Sequence, residues 1–509
     1  MTRDYKAIGK DIALNGFFSE YLPPCFSIDE KLLQIGAPPS RGDLINPYCY
    51  TMSRFDSAGG RRNIFIPEIS SYLALYYFMR DNNIFNELIE FTESHGSCSF
   101  SPILGKDNTA YKQEQSYAKN ANSSIELPHT ESDYIDNTIE KIKRAQGASK
   151  IMKLDIANCF GSFYTHLVPA IILGLEKAEI EYENKDNSTK SRNTDTYKKY
   201  SSFDSFLRRQ NQNRTNGLLA GPLISRMVVE GILCRIDNDL ISSGVTFSRY
   251  VDDYEVYLYG NDQDRVEGIF IDILRRYSFS LNNQKTKTVD FPFYIVDNLE
   301  KIFDERYKSA IEPDELMSLF NTFSLMEMNG TKGSIRFLLK NLEKKPLSAK
   351  DNGLYKSYLL TIIENDSRSL SKACTLLIQN SRKLKLSTAD KHIINGLVDK
   401  HLKLNHDFEV AWLVYVLAET KLLNNNKATI EKVVASRNEL AQLLLLEKGY
   451  LDDEQIEALT KHSRSWIMLY ELYARNHISK LVLEDKLELT KSTSFYEKMK
   501  TAGIRFCRI

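Results

Sequence analysis

Thr246-Phe247-Ser248-Arg249-Tyr250-Val251-Asp252-Asp253-Tyr254-Glu255-Val256-Tyr257-Leu258-Tyr259 sets two adjacent carboxylates between two short runs of aromatic and β-branched residues. The runs Thr246 to Tyr250 and Tyr254 to Tyr259 predict two strands joined by a tight Val-Asp-Asp turn. Asp252 and Asp253 would project at the hairpin tip, where they can grip a divalent metal. Aspartate is also ordinary turn chemistry, since it bonds its own backbone and tolerates unusual dihedrals. A third acid lies upstream: in Lys153-Leu154-Asp155-Ile156-Ala157-Asn158-Cys159-Phe160 an apolar strand runs straight into Asp155. Phosphoryl transfer gains most from positioning and charge stabilisation, and two metal ions roughly 3.5–4 Å apart can clamp the attacking 3′-hydroxyl and the leaving pyrophosphate oxygens. Three carboxylates from two strands suffice to hold such ions. Magnesium suits these oxygens and keeps waters and substrate phosphates as its other ligands, with manganese as the alternative.

The chain has 509 residues, 42% of them hydrophobic, which predicts two or three domains and an ample core. Lys plus Arg equal Asp plus Glu at 67 each, so no net positive charge advertises a long grip on duplex nucleic acid, and any basic channel must be local. Seven scattered cysteines without CxxC spacing argue against a disulfide framework or a zinc site and fit a reducing cytoplasm. The start of the chain lacks an apolar signal core, and no apolar run nears the roughly 20 residues that span a bilayer, so no membrane is expected. The eight histidines form no HExxH or Cys/His cluster, and His401 and His406 are spaced so as not to share a helix face.

Leu22-Pro23-Pro24, Ala37-Pro38-Pro39 and Gly59-Gly60-Arg61-Arg62 punctuate the first hundred residues, and Ile69 to Met79 predicts a helix. Gly105 to Asp136 and Glu181 to Asn216 are rich in Asn, Ser, Thr, Lys and Glu and read as insertions or mobile segments. Between 150 and 300 short strands alternate with helical stretches. Beyond about 300 the strand signal fades, and apolar residues recur at helical spacing in Ile335 to Leu342, Leu354 to Ile363, Ala373 to Ile378, Val410 to Ala418, Val433 to Leu446 and Trp466 to Tyr473. Asp407 and Ser465 read as N-caps. Stacked, HEAT-like helical pairs are expected without a strict sequence period, and Trp412 and Trp466 read as packing. Between the acids, Gly217-Leu-Leu-Ala-Gly221-Pro222-Leu-Ile-Ser225-Arg226 opens an apolar helix, and Leu281-Asn282-Asn283-Gln284-Lys285-Thr286 follows the hairpin. Lys285 could neutralise a departing pyrophosphate.

Asp155-Ile156-x-x-x-Phe160, Gly217-x-x-x-Gly221-Pro222-x-x-Ser225, Tyr250-Val251-Asp252-Asp253 and Leu281-Asn282-x-x-Lys285-Thr286 resemble, in order, the palm motifs of reverse transcriptases. Leu22-Pro23-Pro24-Cys25-Phe26, Arg61-Arg62-Asn63-Ile64-Phe65-Ile66-Pro67, Phe163-Tyr164-Thr165-His166 and the helical C-terminal half are similar to one branch, the bacterial abortive-infection (Abi) polymerases and defence-associated reverse transcriptases. The resemblance implies an α+β protein with fingers at about 1–140, palm at about 141–300 and an all-α domain over 301–509. It implies Asp155 and Asp252 as metal ligands together with the Ile156 carbonyl, Asp253 as the supporting acid, and Phe160 as a sugar gate that selects deoxynucleoside triphosphates. Arg61 or Arg62, with Arg54, would bind the triphosphate, and Gly221, Pro222, Ser225 and Tyr250 would line the nucleotide site.

Asn158 stands where many viral members carry an acid, and no basic thumb helix is recognisable. The branch implies DNA synthesis without a template, primed by a tyrosine of the protein, in homo-oligomers that carry single-stranded DNA covalently and act in antiphage defence. Tyr5, Tyr48, Tyr50, Tyr111 and Tyr117 are candidate primers. Two alternatives stand beside this reading: templated synthesis on a companion noncoding RNA, and an inactive scaffold, against which the retention of all three acids, Phe160 and Lys285 speaks.

Overall fold

The computed structural model describes residues 3–53, 60–105, 134–183, 193–260, 262–294 and 297–508. It is a helix-rich α+β protein built around a four-stranded antiparallel sheet of order β4-β5-β3-β6, with β3 at Lys150–Asp155, β4 at Phe247–Tyr250, β5 at Asp253–Leu258 and β6 at Lys287–Asp290. A separate hairpin of β1 (Tyr48–Ser53) and β2 (Arg61–Ile66) lies upstream. The expected strand pair around Val251 is therefore present as β4, which begins one residue later than expected, and β5, which is shifted one residue earlier.

Against the sheet packs the helix Leu223–Ser242, which starts at Pro222 and buries Ile224, Met227, Val228, Val229, Ile232, Leu233, Ile236 and Leu240. A helix apolar around nearly its whole circumference is stable only when covered on all sides, and this one is central. The helix Ile69–Asp81 forms where the apolar spacing predicts it, with the Glu68 carboxylate accepting from the Ser70 and Ser71 amides at 2.7 and 2.8 Å.

Several expectations need correction. The segment Glu181 to Asn216 contains a packed helix, Asp195–Gln210, whose Tyr197, Tyr200, Phe203 and Leu207 form one buried stripe beneath an otherwise polar composition. Of the Gly105 to Asp136 stretch, residues 106–133 lie outside the described residues. The run Val433 to Leu446 breaks into Lys427–Val434 and Glu439–Glu447, with Asn438 accepting from the Ala441 amide at 3.0 Å and capping the second helix. Ser465 caps Trp466–Ala474 as expected, but Asp407 is the first residue of Asp407–Glu419, not its cap. The C-terminal half is not purely helical: β7 (Ala310–Ile311) pairs in parallel with β8 (Ser348–Ala349).

One hydrophobic core runs through both halves. The C-terminal segment folds back on the N-terminal one, where the Arg508 amide donates to the Cys25 carbonyl at 2.9 Å and the Ser27 amide to the Phe506 carbonyl at 3.2 Å. The Phe506 ring sits 5.2 Å from Trp466, 5.5 Å from Tyr470 and 6.2 Å from Phe17. Both tryptophans serve packing, with Trp412 Nε1 donating to the Tyr21 carbonyl at 2.9 Å. All seven cysteines are free, and among the described residues no helix is long and apolar enough to cross a membrane.

Phe506→Ala empties a shared site and should cost about 3–5 kcal/mol. Near-ultraviolet circular dichroism and far-ultraviolet melting should fall together in one lowered transition; an unchanged N-terminal transition would contradict a continuous core.

Candidate active site

Antiparallel pairing sets Asp155, the last residue of β3, directly opposite Asp253, the first of β5. Asp252 occupies the turn between β4 and β5, and its carbonyl accepts from the Ile156 amide at 3.2 Å. The three carboxylates offer oxygens that all lie within 4.8 Å of one another. The Leu281-to-Thr286 segment folds onto the first acid: Asn282 Nδ2 donates to Asp155 Oδ2 at 2.8 Å, Lys285 Nζ to Oδ1 at 3.2 Å, and the Asn282 amide to the Asp155 carbonyl at 2.8 Å.

Burial pushes the Asp252 carboxyl above the ordinary range and the Asp155 charge adds to it, while Lys285 and Arg62 pull it back. Asp253 is exposed as a residue, yet its carboxyl lies against the other two. Desolvation, then the Asp252 charge, then a hydrogen bond to Asp155 push it up to about 7. Desolvation alone would lower the Lys285 pKa, but its bond to Asp155 together with the charges of Asp155, Asp253 and Asp252 outweighs that and raises it. Three crowded carboxylate oxygen donors suit a hard divalent cation, and Asp155, Asp252 and Asp253 fit magnesium on that ground.

Phe160 lies on the short helix Cys159–Ser162 just after β3, and its carbonyl accepts from the Leu218 amide at 2.8 Å. The Gly217 amide reaches the Phe163 carbonyl at the same distance, so the Gly217-to-Pro222 loop is stapled to the Phe160 helix. At Gly221, φ is +134° and a Cβ would stand 2.7 Å from the Phe65 carbonyl, because β2 passes over the loop with its Phe65 amide donating to Ala220 at 2.8 Å. Pro222 then leads into the central helix, in whose first turn Ser225 is buried, and Tyr250 is half-buried opposite Asp253.

The two adjacent arginines part company. Strand alternation sends Arg62 to the face of Met52 and Ile64, where its charge is felt at Asp252. Arg61 faces the other way and forms a two-pronged pair with Glu409, at 3.0 and 2.6 Å, on the helix Asp407–Glu419. The hairpin thus turns Arg61 toward the helix Asp407–Glu419 and Arg62 to the opposite face, where its guanidinium lies 5.8 Å from the Tyr21 ring centre. Arg54 lies outside the described residues, as do Tyr111 and Tyr117. Tyr48 and Tyr50 are buried and cannot serve as mobile hydroxyls, while half-buried Tyr5 donates to Glu90 at 3.1 Å. His401 and His406 share no helix face, as their spacing predicts, yet bring their Nδ1 atoms to 2.9 Å, because the chain turns between two helices there.

Sequence reasoning missed a buried ion cluster behind the turn. Arg249, fully buried, pairs with Asp237 at 2.7 Å and Glu230 at 2.9 Å, and its Nη1 donates to the Val251 carbonyl at 3.0 Å. Tyr254 Oη donates to Asp237 at 3.1 Å. The signal was legible: Glu230 and Asp237, two turns apart on an apolar helix, and an arginine between strand residues. Val251 has φ +54°, a left-handed conformation that costs a β-branched residue of order 1–2 kcal/mol.

No protein-family model and no curated protein matches the chain. Among solved structures, it is similar to telomerase from Candida tropicalis in complex with the TWJ fragment of telomeric RNA (12% identity, TM-score 0.32, covering 79% of this chain and 64% of that one). The corresponding Candida albicans complex gives 13% identity and TM-score 0.31 over 80% of this chain and 68% of that one. Apo telomerase from Candida tropicalis gives 11% and 0.32 over 90% and 70%.

Because the carboxylates repel one another without a cation, Asp252→Asn with Asp253→Asn should leave the melting temperature of metal-free protein unchanged or higher and should abolish its rise with Mg2+. Thermal denaturation with chelator and with Mg2+ checks this; a large destabilisation, or a retained Mg2+ effect, would contradict it.

Proposed function

We propose that this chain is a nucleotidyltransferase of the reverse-transcriptase type that polymerises deoxynucleotides. The observation that carries the reading is the convergence within 4.8 Å of Asp155 with the adjacent pair Asp252 and Asp253, from which it is distant in sequence, with Lys285 bonded to Asp155. Bound magnesium, held by Asp155 and Asp252 with Asp253 in support and the Ile156 carbonyl as a further oxygen, would supply the positive charge that phosphoryl transfer requires. Arg62 would orient the triphosphate, its guanidinium fork suiting phosphate oxygens. Lys285 holds a proton at Nζ that the departing pyrophosphate can take up. The Phe160 ring would exclude a ribose 2′-hydroxyl.

Within that class we favour protein-primed, untemplated synthesis by a homo-oligomer in phage defence. The support is the resemblance to the Abi branch and the helical character of the described chain beyond β6, of which the helix Asp407–Glu419 packs on the β1–β2 hairpin, with no basic thumb helix recognisable in the sequence.

Nuclease-treated protein given Mg2+ and labelled deoxynucleotides, without template or primer, should yield label that enters a denaturing gel as free DNA only after protease. Product formed only when cellular RNA or a primer-template is restored would shift the reading to a templated enzyme. Asp252→Asn with Asp253→Asn should reduce synthesis at least a thousandfold. Phe160→Ala should raise ribonucleotide incorporation relative to deoxynucleotide roughly tenfold or more, a clash lost at one atom being worth on the order of 1–3 kcal/mol; an unchanged ratio would remove Phe160 as the gate.

A further inference from the structure

We infer that Ser101 is a positioning residue for the carboxylate turn, acting through the Val251 peptide; the inference rests on the reading of Asp155, Asp252 and Asp253 as metal ligands. Val251 immediately precedes Asp252, and both polar ends of this residue are held from outside the turn. Its amide donates to Ser101 Oγ at 2.8 Å, and its carbonyl accepts from Arg249 Nη1 at 3.0 Å. With φ at +54°, the β-branched Val251 keeps its conformation only where its surroundings over-determine it. Loss of the Ser101 bond would free the residue to relax toward the extended region and carry the Asp252 carboxylate with it.

Ser101 is itself fixed. It is buried to 1% exposure at the end of a segment that runs along the outer side of β4. There the Arg249 amide donates to the Cys98 carbonyl at 2.8 Å and the Phe100 amide to the Arg249 carbonyl at 2.7 Å, with Ser99 opposite Arg249 in a parallel bridge. The Ser101 amide and hydroxyl each lie 3.2 Å from Ser99 Oγ, and Arg226 Nη2 reaches the Ser101 carbonyl at 3.5 Å and that of Pro102 at 3.3 Å. Ser99 in turn bonds Glu230, a partner of Arg249. The two clamps on Val251 therefore belong to one buried polar network, and a network of this kind specifies a single geometry only when every member is satisfied. The role is one of placement: Ser101 touches neither the carboxylates nor a substrate atom.

Mn2+ binding to metal-free full-length protein, followed by electron paramagnetic resonance, tests this beside melting temperature and the Mg2+ dependence of synthesis. Ser101→Ala should raise the Mn2+ dissociation constant and the Mg2+ concentration for half-maximal synthesis roughly three- to tenfold, the worth of one hydrogen bond, with little change in melting temperature. Ser101→Thr should restore both. Should the alanine variant not fold, Ser101→Cys, similar in size but a weaker acceptor, reads the same loss. Equal affinities in wild type and variant, with an Mn2+ signal that Asp252→Asn removes, would overturn this inference alone. Absence of any Asp252-dependent Mn2+ signal in the wild type would overturn the metal-site reading and this inference with it.

Discussion

Arg249 is the constraint on which the rest of the site depends. A guanidinium with no solvent exposure is tolerated only because Glu230 and Asp237 meet it on the central helix. Burial pushes the Asp237 carboxyl up, while Arg249 draws Glu230 down despite the same burial. Such a cluster gains little stability relative to apolar packing, yet removing one partner strands a charge and costs about 3–5 kcal/mol. What the cluster provides is registry. It ties β4 to the helix Leu223–Ser242 and holds the Val251 carbonyl, so the two acids at the hairpin tip are placed by groups that lie behind them.

The same economy governs the β1–β2 hairpin, where period-two alternation gives neighbouring arginines opposite tasks. Arg62 takes the face opposite to that of Arg61, and its charge reaches Asp252. Arg61 locks onto Glu409, beside Asp407, whose carboxylate accepts from the Thr51 amide at 2.9 Å. The helix Asp407–Glu419 thus backs the hairpin, and Gly221 lets β2 cross the loop that carries the nucleotide-facing candidates. The helical half is in this way a brace for the β1–β2 hairpin, joined to the N-terminal half through a common core and through the Phe506 aromatic cluster.

Local signals were strong where short-range chemistry decides structure. The strands around Val251, the strand ending in Asp155, the helix after Pro222 and the aromatic helix at Trp466 were all legible, because alternation, turn residues and caps act over a few positions. The pairing of Asp155 with Asp253 could be expected from the chemistry of three acids but not from periodicity, since it depends on a register between distant strands. The helix Asp195–Gln210 was hidden by polar composition around one apolar stripe. The break at Asn438 was hidden because apolar residues continue through it, and the asparagine cap alone marks the boundary. Which face each arginine takes could not be read without the register of β2, and while charged residues on an apolar helix and an arginine within a strand were visible as single oddities, their meeting in the Arg249 cluster needed the third dimension.

The most direct test is anomalous scattering from crystals of the protein soaked with Mn2+ and a non-hydrolysable deoxynucleoside triphosphate. The expected result is manganese bonded to oxygens of Asp155 and Asp252, with the triphosphate reaching toward Arg62 and Lys285. Manganese bound elsewhere, or a nucleotide seated away from the three acids, would contradict the assignment of this cluster as the centre of a polymerase.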